Sequence, residues 1–459
     1  MSTLAAKLHL RLRTKLAYGV GAYGYSVANT MLMLYFNFFL TDVLRLPPLL
    51  AGVVQLVRNA WVAVNDPVIG MLTDRTRSRL GRRRSWMLFA FIPYGVLFAA
   101  LWQHPPTTTP WGTVAWLIGA VFLYDVATTA VWVPYNALTP EITEDYDERT
   151  SLTAWRMVLS MLGGLVVGGA VEPLLKALGD ATRGFSIVGW AAGAMAALPF
   201  FWVVLGVRER WSGGAAKAHG ELGMIDMFRV TLRNRAFLAA LLVYVLAWVC
   251  IAMASAMFVP FLTHWMHMGY AVVLFTVQAS AMIIGVPAVV WLSKRIGKKG
   301  AYAVGIAFWA VVQTGMVFLS PAHAPYAVVL AALAGIGLGT AHVMPWSMVP
   351  DCIELDELET GQRREGAYYG VMACVEKIGT AAALAGLDVV LQVFGYVGGA
   401  AVQTPRALWA LRVLMGPAPA ALLLLSIVAV MFYPLSKARH DEVRRVLGER
   451  RAAAAVKAA

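Results

Sequence analysis

The chain is poor in charge and poor in cysteine. Of its 459 residues only 14% are Asp, Glu, Lys or Arg, against the roughly 25% of an ordinary soluble protein. That leaves too little ionic surface for a soluble multidomain enzyme. The three cysteines, Cys250, Cys352 and Cys374, are odd in number and show no metal-ligand spacing, so they suit neither a disulfide framework nor a metal centre. HExxH, GxSxG, Walker and CxxC patterns are all missing. Neither an enzyme nor a resident cofactor is expected, and no nucleotide-driven engine lies on the chain.

What is present is apolar residue after apolar residue. Ala, Val, Ile, Leu, Met, Phe, Trp, Tyr and Cys make up 59% of the chain, and mean hydropathy is +0.66. With about 20 residues as the unit of a membrane-spanning helix, twelve spans are expected. They lie near 17–41, 47–72, 85–103, 111–137, 152–175, 184–207, 236–264, 270–292, 301–320, 325–349, 367–395 and 407–434. Helices are required because a lone apolar segment in lipid must satisfy its own backbone hydrogen bonds.

The net charge of +13 invites a nucleic-acid reading, but its placement argues against one. Thirty Lys and Arg residues fall in alternate connections and at the two ends, and only Arg45, Lys176, Arg183 and Arg406 fall on the opposite side. The positive-inside rule therefore puts both termini in the cytoplasm. The basic N-terminal segment runs into a full-length span without a small-residue cleavage site, so an uncleaved, multi-pass inner-membrane protein is expected. The basic tail after 435 is read as solvated or lying on the lipid surface.

The longest break between spans, 208–235, contains SGGAAKAHG and divides the chain into an N-terminal bundle (1–207), a linker (208–235), a C-terminal bundle (236–434) and a tail (435–459). Two loop types recur across this break. DRTRSRLGRRR after the second span answers to SKRIGKKG after the eighth, with Gly81 and Gly297 216 residues apart. PEITEDYDERT after the fourth answers to PDCIELDELETGQRREG after the tenth, with Pro140 and Pro350 210 apart. A six-helix unit used twice is the expectation: an all-α membrane protein of two pseudo-symmetric bundles. Such halves suit alternating access around a site at the midplane. The glycine runs GGLVVGGA (163–170) and GIGLGTA (335–341) are read as close helix contacts.

Asp66, Asp125, Glu376, Lys377 and Asp388 are ionisable residues inside apolar segments, and Arg58, Arg156 and Arg412 lie inside spans or at their ends. Each costs at least about 2.5–3.5 kcal/mol at a helix centre, so each is expected to face a polar cavity or a partner. For Lys377 the bland alternative is an ion pair that locks helices. Asp388 suits a rim position, His342 a satisfied interior histidine, and Trp132 and Trp346 plain packing.

The pattern GMLTDRTRSRLGRRR (Gly70 to Arg84) resembles the loop signature of the major facilitator superfamily. The resemblance implies a cytoplasmic gate formed by Asp74 with Arg82 or Arg83. Residues 17–43, 58–74, 132–156 and 348–377, with the NDP of Asn65–Pro67 and the TG-R-EG before the eleventh span, are similar to the glycoside–pentoside–hexuronide:cation symporters. Lysolipid symporters of animals are more distant relatives of that family. Its members couple the entry of Na+, H+ or Li+ to uptake of a solute, typically a sugar.

The resemblance implies roles residue by residue. Asp66 and Thr129 match the family's cation-binding acid and threonine, whereas Val62 stands where a first acid is usual. Ser26, Trp132 and Asn136 stand at the sugar-binding positions, and all three differ from the family's residues. Arg156 and Lys377 match its arginine and lysine, and His342 falls near an aromatic position. Asp125, one turn from Thr129, is a candidate replacement for the missing acid. Two carboxylates and a hydroxyl would suit Na+, whereas Asp66 alone would carry a proton. The expected partners are a small-molecule substrate and the bilayer, in a monomeric protein. A sugar or related polar solute is the first substrate reading, an amphipathic or lipid-like one the second, and a non-transporting sensor or scaffold the third.

Overall fold

The computed structural model describes residues 10–76, 78, 80–107, 109–138, 142, 146–207, 224–361, 364–400 and 402–435, with scattered positions up to 449. Some side chains inside helices lie outside this set, among them Asp74 and Arg75. Fourteen α-helices form the described residues: α1 (Leu12–Phe38), α2 (Pro48–Arg75), α3 (Arg82–Leu101), α4 (Pro110–Ala137), α5 (Tyr146–Leu178), α6 (Ala181–Gly206), α7 (Met224–Thr231), α8 (Arg235–Pro260), α9 (Ala271–Ser280), α10 (Val286–Gly315), α11 (Ala324–Thr360), α12 (Glu365–Val393), α13 (Pro405–Met415) and α14 (Pro417–Met431). No strand occurs among them. Eight helical stretches among the described residues are long and apolar enough to cross a membrane. Helices α2 and α12 are not among the eight. Helix α1 is not among them either, and α2 and α12 carry Arg58 and Asp66, and Glu376, Lys377 and Asp388.

The chain forms two compact units, Met1–Ala215 with Val397–Ala400, and Ala216–Tyr396 with Ala401–Ala459. The division falls within the 208–235 segment. That segment is not wholly a linker: α7 packs on α12, and the methyl of Met227 lies 3.1 Å from where Gly370 would carry a Cβ. Its eight residues are too few to stand out as a periodic pattern in sequence.

Backbone geometry repeats between the units. Helix α1 ends in a π turn, Phe39–Val43, and α8 in another, Phe261–Trp265; both begin Phe-Leu-Thr. Three pairs of residues have positive φ at matching places: Arg45 and His267, Gly81 and Gly297, Gly179 and Gly395. Arg45 and His267 are the only described non-glycine residues there, a conformation that costs such residues steric strain. Packing repeats too. In the first unit α1 packs on α5 and α6, α2 on α4, and α3 on α4 and α6. In the second, α8 packs on α12 and α14, α9 on α11, and α10 on α11 and α14. Helix α10 contains a break at Gly297, where φ is +77°. This is the position paired with Gly81, which precedes α3.

Small residues set the close crossings, as expected where lipid gives helices no hydrophobic drive to associate. A Cβ on Gly163 of α5 would lie 2.6 Å from the Tyr23 carbonyl of α1. Gly335 and Gly339 of α11 lie equally close against Val277, Ser280 and Gly285. Gly169, in the same run as Gly163, faces open space. Helix starts are fixed by side-chain caps from Thr109, Asp180, Asn234 and Thr404, each worth about 1 kcal/mol.

Candidate functional site

In the first unit the polar residues of α2 and α4 meet in two rungs. Arg58, Val62 and Asp66 recur every four residues and so share one face of α2; Asp125 and Thr129 share one face of α4. In the lower rung Thr129 Oγ1 donates to Asp66 Oδ1 at 2.7 Å and accepts from Asn65 Nδ2 at 2.8 Å. Asn65 Nδ2 also donates to the Asp125 carbonyl at 3.1 Å, so its amide ties the rungs together. In the upper rung the Arg58 guanidinium meets Asp125 through two bonds, Nε to Oδ2 and Nη2 to Oδ1, each 3.3 Å.

Of the two readings of Asp125, as a second cation ligand or as an acid paired elsewhere, the contact with Arg58 favours the second. The Asp125 side chain is 4% exposed and faces Arg58, whose side chain is 25% exposed. The negative charge at the level of Val62 is balanced by an arginine of the same unit. The signal was available in sequence, since Arg58 lies two turns from Asp66 on the face that carries Val62. Spacing alone, however, does not say which neighbouring helix that face meets.

A second cluster lies on α1, α4 and α5. Tyr25 stacks on Trp132 with ring centres 3.6 Å apart and planes 9° from parallel. Trp132 continues the stack to Tyr135 at 5.2 Å, and Tyr135 to Tyr18 at 4.7 Å. Each contact adds about 0.5–1.5 kcal/mol beyond its area. Asn136 Oδ1 accepts from Arg156 Nη1 at 3.0 Å, and Asn136 Nδ2 donates to the Trp132 carbonyl at 3.0 Å. Half-buried Ser26 sits beside Gly163, where α1 crosses α5. The structure thus joins Trp132, Asn136 and Arg156. Tyr18, Tyr25 and Tyr135 are members the sequence did not single out, although the four aromatics recur on faces of α1 and α4.

The second unit holds the remaining candidates on α8, α11 and α12. His342 rests against Trp248, with ring centres 5.4 Å apart, and its Nδ1 is 3.1 Å from the Leu338 carbonyl. Trp346 lies between Tyr244 at 5.6 Å and Tyr369 at 6.0 Å. The Trp248 Nε1 is buried with no hydrogen-bond partner among the described residues. Lys377 is half-buried on α12, and Thr380 Oγ1 donates to Glu376 Oε1 at 3.5 Å. Asp388, near the C-terminal end of α12, is fully buried.

Of the expected gate, the Asp74 side chain lies outside the described residues. Arg82 is half-buried; Arg83 is buried and donates to Thr73 Oγ1 at 3.1 Å. In the second unit Lys298, 216 residues beyond Arg82, ties α10 to α11. Its Nζ donates to both Asp351 carboxylate oxygens at 2.7 Å and to the Ser347 carbonyl at 2.6 Å. A cavity of about 580 Å³ beside Trp86, Phe89, Pro93, Leu123 and Ala127 holds none of the candidate residues.

Two units of apolar helices that repeat each other's packing make a multi-pass membrane fold. The fold matches that of a variant of nucleoside transporter NupG, with a TM-score of 0.68, 12% identity, and coverage of 93% of this chain and 100% of the other. It also matches a bacterial homologue of the human peptide transporters PepT1 and PepT2, with a TM-score of 0.63, 13% identity, and coverage of 95% and 98%. The chain belongs to the MFS/sugar transport protein family, matched over residues 17–437. An uncharacterized symporter of Synechocystis is 30% identical, covering 98% of both chains. A sodium-dependent lysophosphatidylcholine symporter of Danio rerio is 27% identical over 95% of this chain and 88% of its own. A sphingosine-1-phosphate transporter of Xenopus tropicalis is 25% identical over 96% and 92%.

Proposed function

We propose that the protein is a proton-coupled symporter of a plasma membrane of bacterial type, with both termini cytoplasmic, two six-helix halves that alternate access, and Asp66 as the coupling carboxylate. The observation that carries this reading is the lower rung on α2 and α4. Thr129 and Asn65 hold Asp66 by a continuous hydrogen-bond chain, while the nearby acid, Asp125, is balanced by Arg58. The Thr129 hydroxyl that donates to the ionised Asp66 carboxylate can also accept from the protonated acid, which suits a proton carrier. No enzymatic step is needed. Arg82, Arg83 and Asp74 serve as a gate in this scheme, and the unit works as a monomer.

For the solute, a glycoside or other small polar molecule follows from the family. A second reading, an amphipathic solute with an acidic group, is favoured by the side chains themselves. None of Ser26, Trp132, Asn136, Arg156, His342 and Lys377 carries a carboxylate to accept from sugar hydroxyls. Arg156 and Lys377 are donors suited to phosphate or carboxylate oxygens. Tyr25 also covers one face of Trp132 at stacking distance, which leaves less of that ring for a sugar. The lysophosphatidylcholine and sphingosine-1-phosphate carriers among the relatives fit the same chemistry. Thermal-shift screening of purified protein against sugars, glycosides and lysolipids tests the two. Stabilisation by neutral sugars alone supports the first, and by anionic amphiphiles alone the second.

A further inference from the structure

We infer that Arg58 is the residue that sets ion selectivity: its guanidinium serves as a tethered cation that denies the α2–α4 site to Na+. This rests on the assignment of Asp66 as the coupling carboxylate and extends it to the arginine two turns away on the same helix.

Without Arg58, the α2–α4 interface would hold two carboxylates, the Thr129 hydroxyl and the Asp125 carbonyl within one helical turn of each other. Hard cations take oxygen ligands, and carboxylates are the strongest of them. Such a set would attract a metal ion and would be unstable without one, because the Asp125 side chain is 4% exposed and a buried unbalanced charge is costly. Arg58 supplies the missing positive charge covalently. Its fork meets both Asp125 oxygens, the paired geometry in which guanidinium binds carboxylate best.

Position supports the same role. Arg58 lies two turns from Asp66 along α2, with Val62 between them, and its guanidinium reaches the level of Asp125. Asn65 connects the levels, donating to Thr129 and to the Asp125 carbonyl. The lower rung therefore keeps a proton-sized site, and the upper rung is filled permanently. Because Arg58 stays protonated at all working pH, the block does not titrate away.

The test uses full-length purified protein in detergent. Melting temperature is followed against NaCl, with choline chloride holding ionic strength constant, for the parent, Arg58→Gln, Arg58→Lys and Arg58→Gln/Asp125→Asn. The parent should show no Na+-specific shift. Arg58→Gln should gain a saturable Na+-specific rise. Arg58→Lys should resemble the parent, since the charge is kept, and the double variant should lose the response with the second carboxylate. All variants are purified in both salts. Recovery of folded Arg58→Gln only in Na+ supports the inference, and Arg58→Met provides a second neutral variant read in the same way. Neutral variants that fold in choline and ignore Na+ overturn it, as does a Na+ response in the parent. Proton-driven uptake in the parent, lost with Asp66→Asn, is measured separately. Its failure removes the coupling assignment while the Na+ titration still reads the role of Arg58.

Discussion

Replacing Thr129 with valine removes one hydroxyl from the centre of the lower rung and changes little else. Valine matches threonine in shape, so no cavity forms, yet two hydrogen bonds disappear: Thr129 to Asp66 at 2.7 Å and Asn65 to Thr129 at 2.8 Å. Interhelical hydrogen bonds in membrane proteins average about 0.6 kcal/mol and reach about 1.7. Bonds to a charged group lie nearer 1.5–3 kcal/mol. Thr129 is 4% exposed, so water does not replace the lost partners. The Asn65 bond belongs near the lower figure and the Asp66 bond near the upper. Together they give a loss of roughly 2 kcal/mol, or about thirtyfold in the folded-to-unfolded ratio. Thr129→Ser keeps both bonds and loses one methyl, a change of about 1 kcal/mol or less. Unfolding in mixed micelles, read beside solute uptake in proteoliposomes, should rank parent, serine and valine in that order, with coupled uptake retained by serine and lost by valine. Serine and valine variants that behave alike in both assays would refute the reasoning, because the hydroxyl would then hold neither the helices nor the coupling carboxylate.

Three further outcomes are expected. A reporter active only in the periplasm, fused after Ala459, should stay silent; strong signal would overturn the orientation drawn from Lys and Arg placement. Gly163→Val should destabilise the protein by about 1–3 kcal/mol through overpacking against the Tyr23 carbonyl, whereas Gly169→Val, facing open space, should melt as the parent does. Lys298→Met should lower the melting temperature by leaving the buried Asp351 without its lysine, and Lys298→Met/Asp351→Leu should recover much of the loss. A double variant no better than the single would show that this pair is not the connection between α10 and α11.

Much of the architecture was legible because lipid imposes a simple rule on composition. Apolar segments of span length became helices, and Gly81 and Gly297, paired by loop sequence, share a positive φ. The other pairs needed the backbone to be noticed: Arg45 and His267 each follow a Phe-Leu-Thr, and Gly179 and Gly395 share the 216-residue offset, but none of these stands in a distinctive loop. What sequence spacing did not resolve was partnership. It placed Asp125 one turn from Thr129 but did not show that Arg58 would meet it, since that depends on the rotation of α2 against α4. Helix α7 escaped for a different reason: eight residues show little periodicity, and its contact with α12 is tertiary. The stacked Tyr25 and Trp132 pair likewise depends on the approach of α1 to α4, which no local pattern reports.

The most direct measurement is solute accumulation in proteoliposomes under separately imposed H+ and Na+ gradients, for the parent and Asp66→Asn, using the solute that thermal-shift screening selects. The account predicts that the H+ gradient alone drives accumulation in the parent. It also predicts that Asp66→Asn abolishes accumulation while still exchanging solute down its own gradient. Accumulation by Asp66→Asn equal to that of the parent, or accumulation in the parent driven only by Na+, would contradict it.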